Sequence, residues 1–261
     1  MPNTSKNGIV VELSAPYGTG PYLVRQLLSD GDSNVKLSKS NKSGKGYLTL
    51  GLSLSPANES GFNTCARASE GCKKACIFTS GRGGLFPAVN RARVAKTLAF
   101  FGQRDAFFTM LRRDLERGRA QARRKGLTLA VRLNVFSDLP WERIAPWIFT
   151  EFRDVQFYDY TKVPGRVTPR NYHLTFSRSE VNEQDALAEY ARGRNVAVVF
   201  DSKELPKRWN GKRVLNGDET DLRFLDRRGI VGLYAKGDGR KDASGFVVPS
   251  AKPKAWTLTA V

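Results

Sequence analysis

Val196-Ala197-Val198-Val199-Phe200 is an unbroken apolar run set between a helical stretch, Glu183 to Arg192, and the polar cluster Asp201-Ser202-Lys203. A strand apolar at every position has both faces buried, as in a parallel sheet covered by helices and unlike a half-solvated antiparallel one. The second half of the chain repeats this pattern. Leu127 to Val135, Val155 to Tyr160, Tyr172 to Ser177, Arg213 to Leu215 and Ile230 to Ala235 read as strands, and Trp141 to Phe149 as a short helix with Pro140 at its start. Upstream, Tyr47 to Leu54 alternates apolar with small or polar residues, as a strand does, and helical stretches run from Ala88 to Gly102 and from Gln103 to Lys125. The expected fold is α/β, a mostly parallel sheet in an open or partial barrel. Residues 1–46, rich in Gly, Ser, Asn and Lys, are expected to form a flexible or extended segment, with Leu37 to Gly46 a loop, ahead of a single α/β domain over 47–261.

Most of these strands end in polar residues. Loops gather at the carboxyl ends of parallel strands, and ligands bind there. Asn134, Asp138, Asp159, Glu180, Asp201, Asp218 and Lys236 belong to such ends, with His173 inside one of the strands. The five carboxylates, with Lys162 or Lys203 beside them, have the chemistry of a magnesium-dependent nuclease. Polar residues also end strands because turns need them, and a histidine inside an apolar strand is more often a packed residue than a ligand.

All three cysteines fall within the loop expected after the first strand, as Cys65, Cys72 and Cys76 in a C-x6-C-x3-C spacing. Three thiols cannot all pair, and a cytosolic chain has little structural use for disulfides. They are expected to hold a metal centre together. Arg67, Lys73 and Lys74 are expected to lower the thiol pKa values, and Gly71 and the glycines of 81–84 to let backbone amides approach it. Structural zinc needs four ligands, so the fourth would have to be a carboxylate or His173, the only histidine, about 100 positions away. A 4Fe-4S cluster held by three thiolates keeps one iron open, so iron–sulfur is the expected centre and zinc the alternative.

Charge points to a polyanionic partner. Lys and Arg number 43 against 25 Asp and Glu, for a net charge of +18 and a pI near 10.1. Such a field attracts nucleic acid, DNA or RNA. Between Ala88 and Lys125 there are 11 basic and three acidic residues; Phe107, Met110, Leu111 and Leu115 mark a core face, and Arg112, Arg119 and Arg123 fall on another side beside Arg113, Arg117 and Arg124. Lys73, Lys74, Arg82, Lys162, Arg166 and Arg178 are further candidate phosphate contacts, and Tyr158 and Tyr160, on one strand face, candidate base-stacking residues. An acidic membrane is the rival polyanion, but neither an amphipathic basic segment nor a lipidation motif is present, and no apolar run approaches the roughly 20 residues of a membrane helix. The polar start lacks the apolar centre of a secretory signal, so a cytoplasmic protein is expected, in a host cell if phage-encoded.

Long motifs resemble the gene product 88 family of phage and mobile-element proteins. They are Asn63-Thr64-Cys65 through Cys76 with Ser80-Gly81-Arg82, Phe157 to Lys162, Asn171 to Glu180, and Asn216-Gly217-Asp218. The resemblance runs from about Tyr47 to Val248 and implies a phage or plasmid context, not a mechanism. A weaker resemblance is to radical S-adenosylmethionine enzymes, which place three cysteines after the first strand of a partial TIM-type barrel. It implies S-adenosylmethionine on the open iron and an enzyme acting on nucleotides or nucleic acid. Their C-x3-C-x2-C spacing and a Gly-Gly-Glu-type stretch are not found here, which counts against that ligand.

Overall fold

The computed structural model describes residues 4–5, 8–30, 40–79 and 86–250. β1 (Thr4–Ser5), β2 (Gly8–Leu13) and β3 (Gly20–Val24) make a small antiparallel sheet. The large sheet begins with β4 (Leu28–Ser29) and β5 (Tyr47–Leu52). After it come α1 (Glu70–Lys74), α2 (Pro87–Gly102) and α3 (Arg104–Arg124). The chain continues through β6 (Thr128–Arg132), α4 (Trp141–Ile144), α5 (Trp147–Glu151), β7 (Gln156–Thr161), β8 (Tyr172–Ser177), α6 (Glu183–Ala191) and β9 (Val196–Phe200). It closes with β10 (Arg208–Trp209), β11 (Lys212–Asn216), β12 (Ile230–Tyr234) and β13 (Val247–Val248).

Along the large sheet the order is β4-β5-β6-β7-β8-β9-β12-β11-β10. The seven strands from β5 to β11 run parallel, and an antiparallel strand flanks them at either end. The sheet is open: β4 and β10 lie at its two ends and do not pair. β13 lines up with Val199 and Phe200 at the end of β9, whereas β8 pairs at its start, with Val196 and Ala197.

Alternate residues of each strand supply the core. Leu48, Leu50 and Leu52 of β5, Leu129 and Val131 of β6, Phe157 of β7, and Tyr172 and Leu174 of β8 face α2 and α3. The helices answer with Val94, Ala99 and Phe100, and with the Phe107, Met110, Leu111 and Leu115 stripe anticipated from periodicity. A second cluster places Ala186 of α6 on Phe176, Val196, Val198, Phe200 and Ile230. The opposite face is covered by the segment around Leu222, which packs on Ala130 and Tyr158 while Asp221 binds the buried Arg132 guanidinium.

Two expectations need correction. Residues 8–30, expected to be flexible or extended, are extended and belong to the core: Ile9, Val11, Leu13, Val24, Leu27 and Leu28 are buried with α2 and α3. Asp114 of α3 accepts from the Leu27 and Leu28 amides, at 2.6 and 3.2 Å, so a buried carboxylate ties the segment down. These strands are short and lie among Gly, Pro and Ser, so their alternation is hard to see. Of the expected loop from Leu37 to Gly46, residues 37–39 lie outside the described residues. The expected helix from Trp141 to Phe149 is two short helices, because Pro146 cannot donate to continue the first.

Candidate metal centre

The cysteine segment lies over the carboxyl ends of the parallel strands. Thr64 begins it: its hydroxyl donates to Ser55 O at 2.5 Å, and its carbonyl accepts from the Asp138 amide at 2.8 Å. Cys65 is thereby placed after the end of β6, with its Sγ donating to Phe136 O at 3.5 Å. Ser69 caps α1, its hydroxyl accepting from the Cys72 amide at 3.2 Å and donating to Glu180 at 2.7 Å. Glu180, from the loop after β8, also accepts from the Gly71 amide at 2.8 Å. A Cβ on residue 71 would stand 2.1 Å from Ser244 Oγ and 2.8 Å from Glu180 Oε1, so a larger residue would have to displace both side chains. Cys72 lies on this short helix and Cys76 just beyond its end at Ala75.

All three thiols are half-buried. They stand near enough to one another that charge on Cys72 and Cys65 disfavours ionising Cys76. Burial pushes Cys76 up to about 11 and also raises Cys65. Lys73 and Lys74 were expected to do the opposite. They are exposed, and Lys73 is bound to Glu70 at 2.8 Å. The cations that face the thiols are Lys162 and Arg93. The Lys162 ammonium, partly buried, hydrogen-bonds Ser177 Oγ at 3.0 Å; burial works to lower its pKa, but Cys72, Asp138 and Cys65 outweigh that and hold it raised. Arg93 lies 4.0 Å over the Phe136 ring and 5.0 Å over the Phe78 ring; burial brings its pKa down to about 10, with Cys76 opposing. Sequence reading missed Arg93 and Ser69. Ser69 was recoverable as an N-cap residue before Glu70; Arg93, on a helix 17 positions from Cys76, carried no signal.

The remaining strand-end residues serve other partners. Asn134 is buried and binds Ser137, the Leu139 amide and the Trp141 indole. Asp138 accepts from the Lys162 amide at 2.7 Å and from Arg166 at 3.2 Å. Asp159 accepts from the Asn134 amide and from Tyr172 Oη at 2.9 Å, and burial pushes its carboxyl up to about 7. Asp201 accepts from the Ser250 amide, and Asp218 from Lys236 and the Tyr234 amide. Among the described residues no group of three or more His, Cys, Asp or Glu side chains, the three cysteines included, is arranged to hold a metal ion.

His173 is also remote from the thiols. It pairs with Tyr158 in mid-sheet, four residues before Ser177 and so about 13 Å down the strand. Burial, then Arg194 and Arg223, bring its pKa down to about 4. As pH falls from about 6.5 to 4, the unfolded chain takes up a proton that the folded protein refuses, so stability is lost across that window. Measured against His173→Asn by denaturant unfolding, the wild type should weaken with falling pH by at most about 3 kcal/mol. A pH-independent difference would refute the assignment.

The candidate nucleic-acid contacts are largely engaged within the protein. Arg112 binds Glu151 at 2.8 Å and stacks on Trp147; Arg119 and Arg123 share Asp154, and Arg113 reaches Asp114 at 3.5 Å. Arg124 is exposed. Arg166 is buried between Asp138 and Glu142, and Arg178 binds Glu183 and the Gly245 and Phe246 carbonyls. Tyr158 is fully buried and Tyr160 packs beneath Arg132, so neither ring is open to stack on a base. Arg82 lies outside the described residues.

The family model for gene product 88 matches residues 26–250. The chain belongs to the gene product 88 family. The match begins upstream of the Tyr47 start read from the motifs, taking in β4 with its Asp114 anchor, and encloses all three cysteines. Comparisons of this gene product 88 protein with curated proteins and with solved structures found no match. No helix is long and apolar enough to cross a membrane among its described residues.

Proposed function

We propose that this gene product 88 protein is an iron–sulfur protein that binds nucleic acid through a basic surface, with a 4Fe-4S cluster held by Cys65, Cys72 and Cys76. One observation carries the reading: three thiols gather over the carboxyl ends of parallel strands with the Lys162 ammonium among them. Buried thiolates are costly unless metal and nearby cations offset their charge, and Lys162 and Arg93 supply those cations. Three thiolates leave one cluster iron open, and the only histidine is too far away to complete a zinc site. The order β5-β6-β7-β8-β9, in which each strand lies beside its predecessor, supports the finer description of the sheet as an opened TIM or radical-SAM-like barrel.

The test is iron, sulfide and zinc content with an absorption spectrum, on protein purified without oxygen. About four irons and four sulfides per chain, with broad absorption near 400 nm, is the expected result. One zinc and no iron would overturn it in favour of a structural zinc site.

A further inference from the structure

Strands that run parallel also start together, so residues that precede them meet on one rim of the sheet. Arg192 and Arg194 lie just before β9, Lys212 and Arg213 open β11, and Arg227 and Arg228 lie just before β12. β9, β12 and β11 are adjacent and in register, so these three pairs, scattered over 37 positions of sequence, stand side by side. The hairpin Trp209-Asn210-Gly211-Lys212 has its tip on the same rim; Asn210 and Gly211 take φ of +45° and +75°, the two-residue turn that suits Asn-Gly, and Arg208 stands opposite Arg213.

Few carboxylates answer these charges. Glu189, itself buried, holds Arg192 and Arg194, and Asp226 turns to Arg223. Arg208, Lys212, Arg213, Arg227 and Arg228 make no ion pair among the described residues, and all but the half-buried Lys212 are exposed. Arg228 lies 4.1 Å over the Tyr190 ring with Lys212 5.3 Å from it, which fixes two of the cations at the end of α6. On α3, by contrast, Arg112, Arg119 and Arg123 are matched by Glu151 and Asp154.

We propose that the amino-end rim of β9, β12 and β11 is the surface that binds the nucleic-acid backbone, with Arg213, Arg227 and Arg228 as phosphate contacts and the outer face of α3 as a minor contributor. Arginine forks unpaired by carboxylates are the groups that gain most from phosphate, and their binding releases counterions from the polyanion. The inference rests on the nucleic-acid half of the proposed function and assigns its surface.

The experiment compares the full chain with Arg213→Glu/Arg227→Glu and with Arg117→Glu/Arg124→Glu, using labelled mixed-sequence duplex and single-stranded DNA and an RNA strand across a salt series. The rim variant should bind about ten-fold or more weakly, with a log–log salt slope shallower by about 1.8 on duplex, while the α3 variant stays within about two-fold of wild type. Melting curves establish that both are folded, and Arg213→Gln/Arg227→Gln replaces the charge reversal if that variant does not fold. Wild-type-like binding by the rim variant, or a larger loss in the α3 variant, overturns the rim assignment and leaves the proposed function standing. Failure of the wild type to bind any of the three probes overturns both. Binding to phosphatidylserine vesicles alone would make the rim a membrane contact and also overturns it.

Discussion

Cys72→Ala, purified without oxygen, is expected to contain less than about a tenth of the wild-type iron and to lose its absorption near 400 nm. Cys72 lies between the other two cysteines in sequence, and its amide is bound by Ser69, which Glu180 holds in turn. Removing its sulfur leaves two thiolates, too few to retain a cubane cluster. The segment from Cys65 to Thr79 has little core of its own, so its anchoring is also expected to weaken and the melting temperature to fall. Glu180→Gln serves as the comparison: it perturbs the helix cap but keeps three thiols, so it should lower cluster content partially. Full iron and sulfide in Cys72→Ala would remove the cluster from the proposal.

Arg132→Met is expected to cost about 3–5 kcal/mol of folding stability. The guanidinium is 2% exposed, binds Asp221, lies 3.9 Å from Asp159 and donates to the Asn134 carbonyl at 3.3 Å. Methionine fills much of the volume but deprives two buried carboxylates of their cation. Asp159, already pushed up to about 7 by burial, would rise further once Arg132 is gone. The loss should therefore grow as pH rises through about 7, where the wild type ionises Asp159 against the Arg132 cation and the variant has no such partner. Adding Asp221→Asn should recover part of it. A loss under about 1 kcal/mol in denaturant unfolding at neutral pH would show that the pair is solvated.

Much of the scaffold was legible because it obeys short-range rules. Val196–Phe200 and Tyr172–Ser177 matched as read, and the α3 stripe matched the core it buries. Since every parallel strand points its carboxyl end the same way, the gathering of Cys65, Cys72, Lys162 and Glu180 on one rim also followed from strand order. The charge assignments did not follow. Lys73 and Lys74 come one and two positions after Cys72, where α1 turns them to solvent, whereas Lys162 comes from a strand end 86 positions beyond Cys76. The arginines of α3 were read as open because Glu151 and Asp154 approach only through the packing of α5 and the turn after it. Opposite-rim arginines were missed for the converse reason: each pair is unremarkable in sequence, and only parallel pairing sums them.

Strand length now sets a limit on what the two rims can do together. The five residues of β9, at ~3.3 Å each, put its two ends about 13 Å apart. A metal centre over one end is therefore out of bonding reach of a phosphate held at the other. A polynucleotide held by one phosphate at the amino rim would meet the proposed metal centre only through other nucleotides of the same strand.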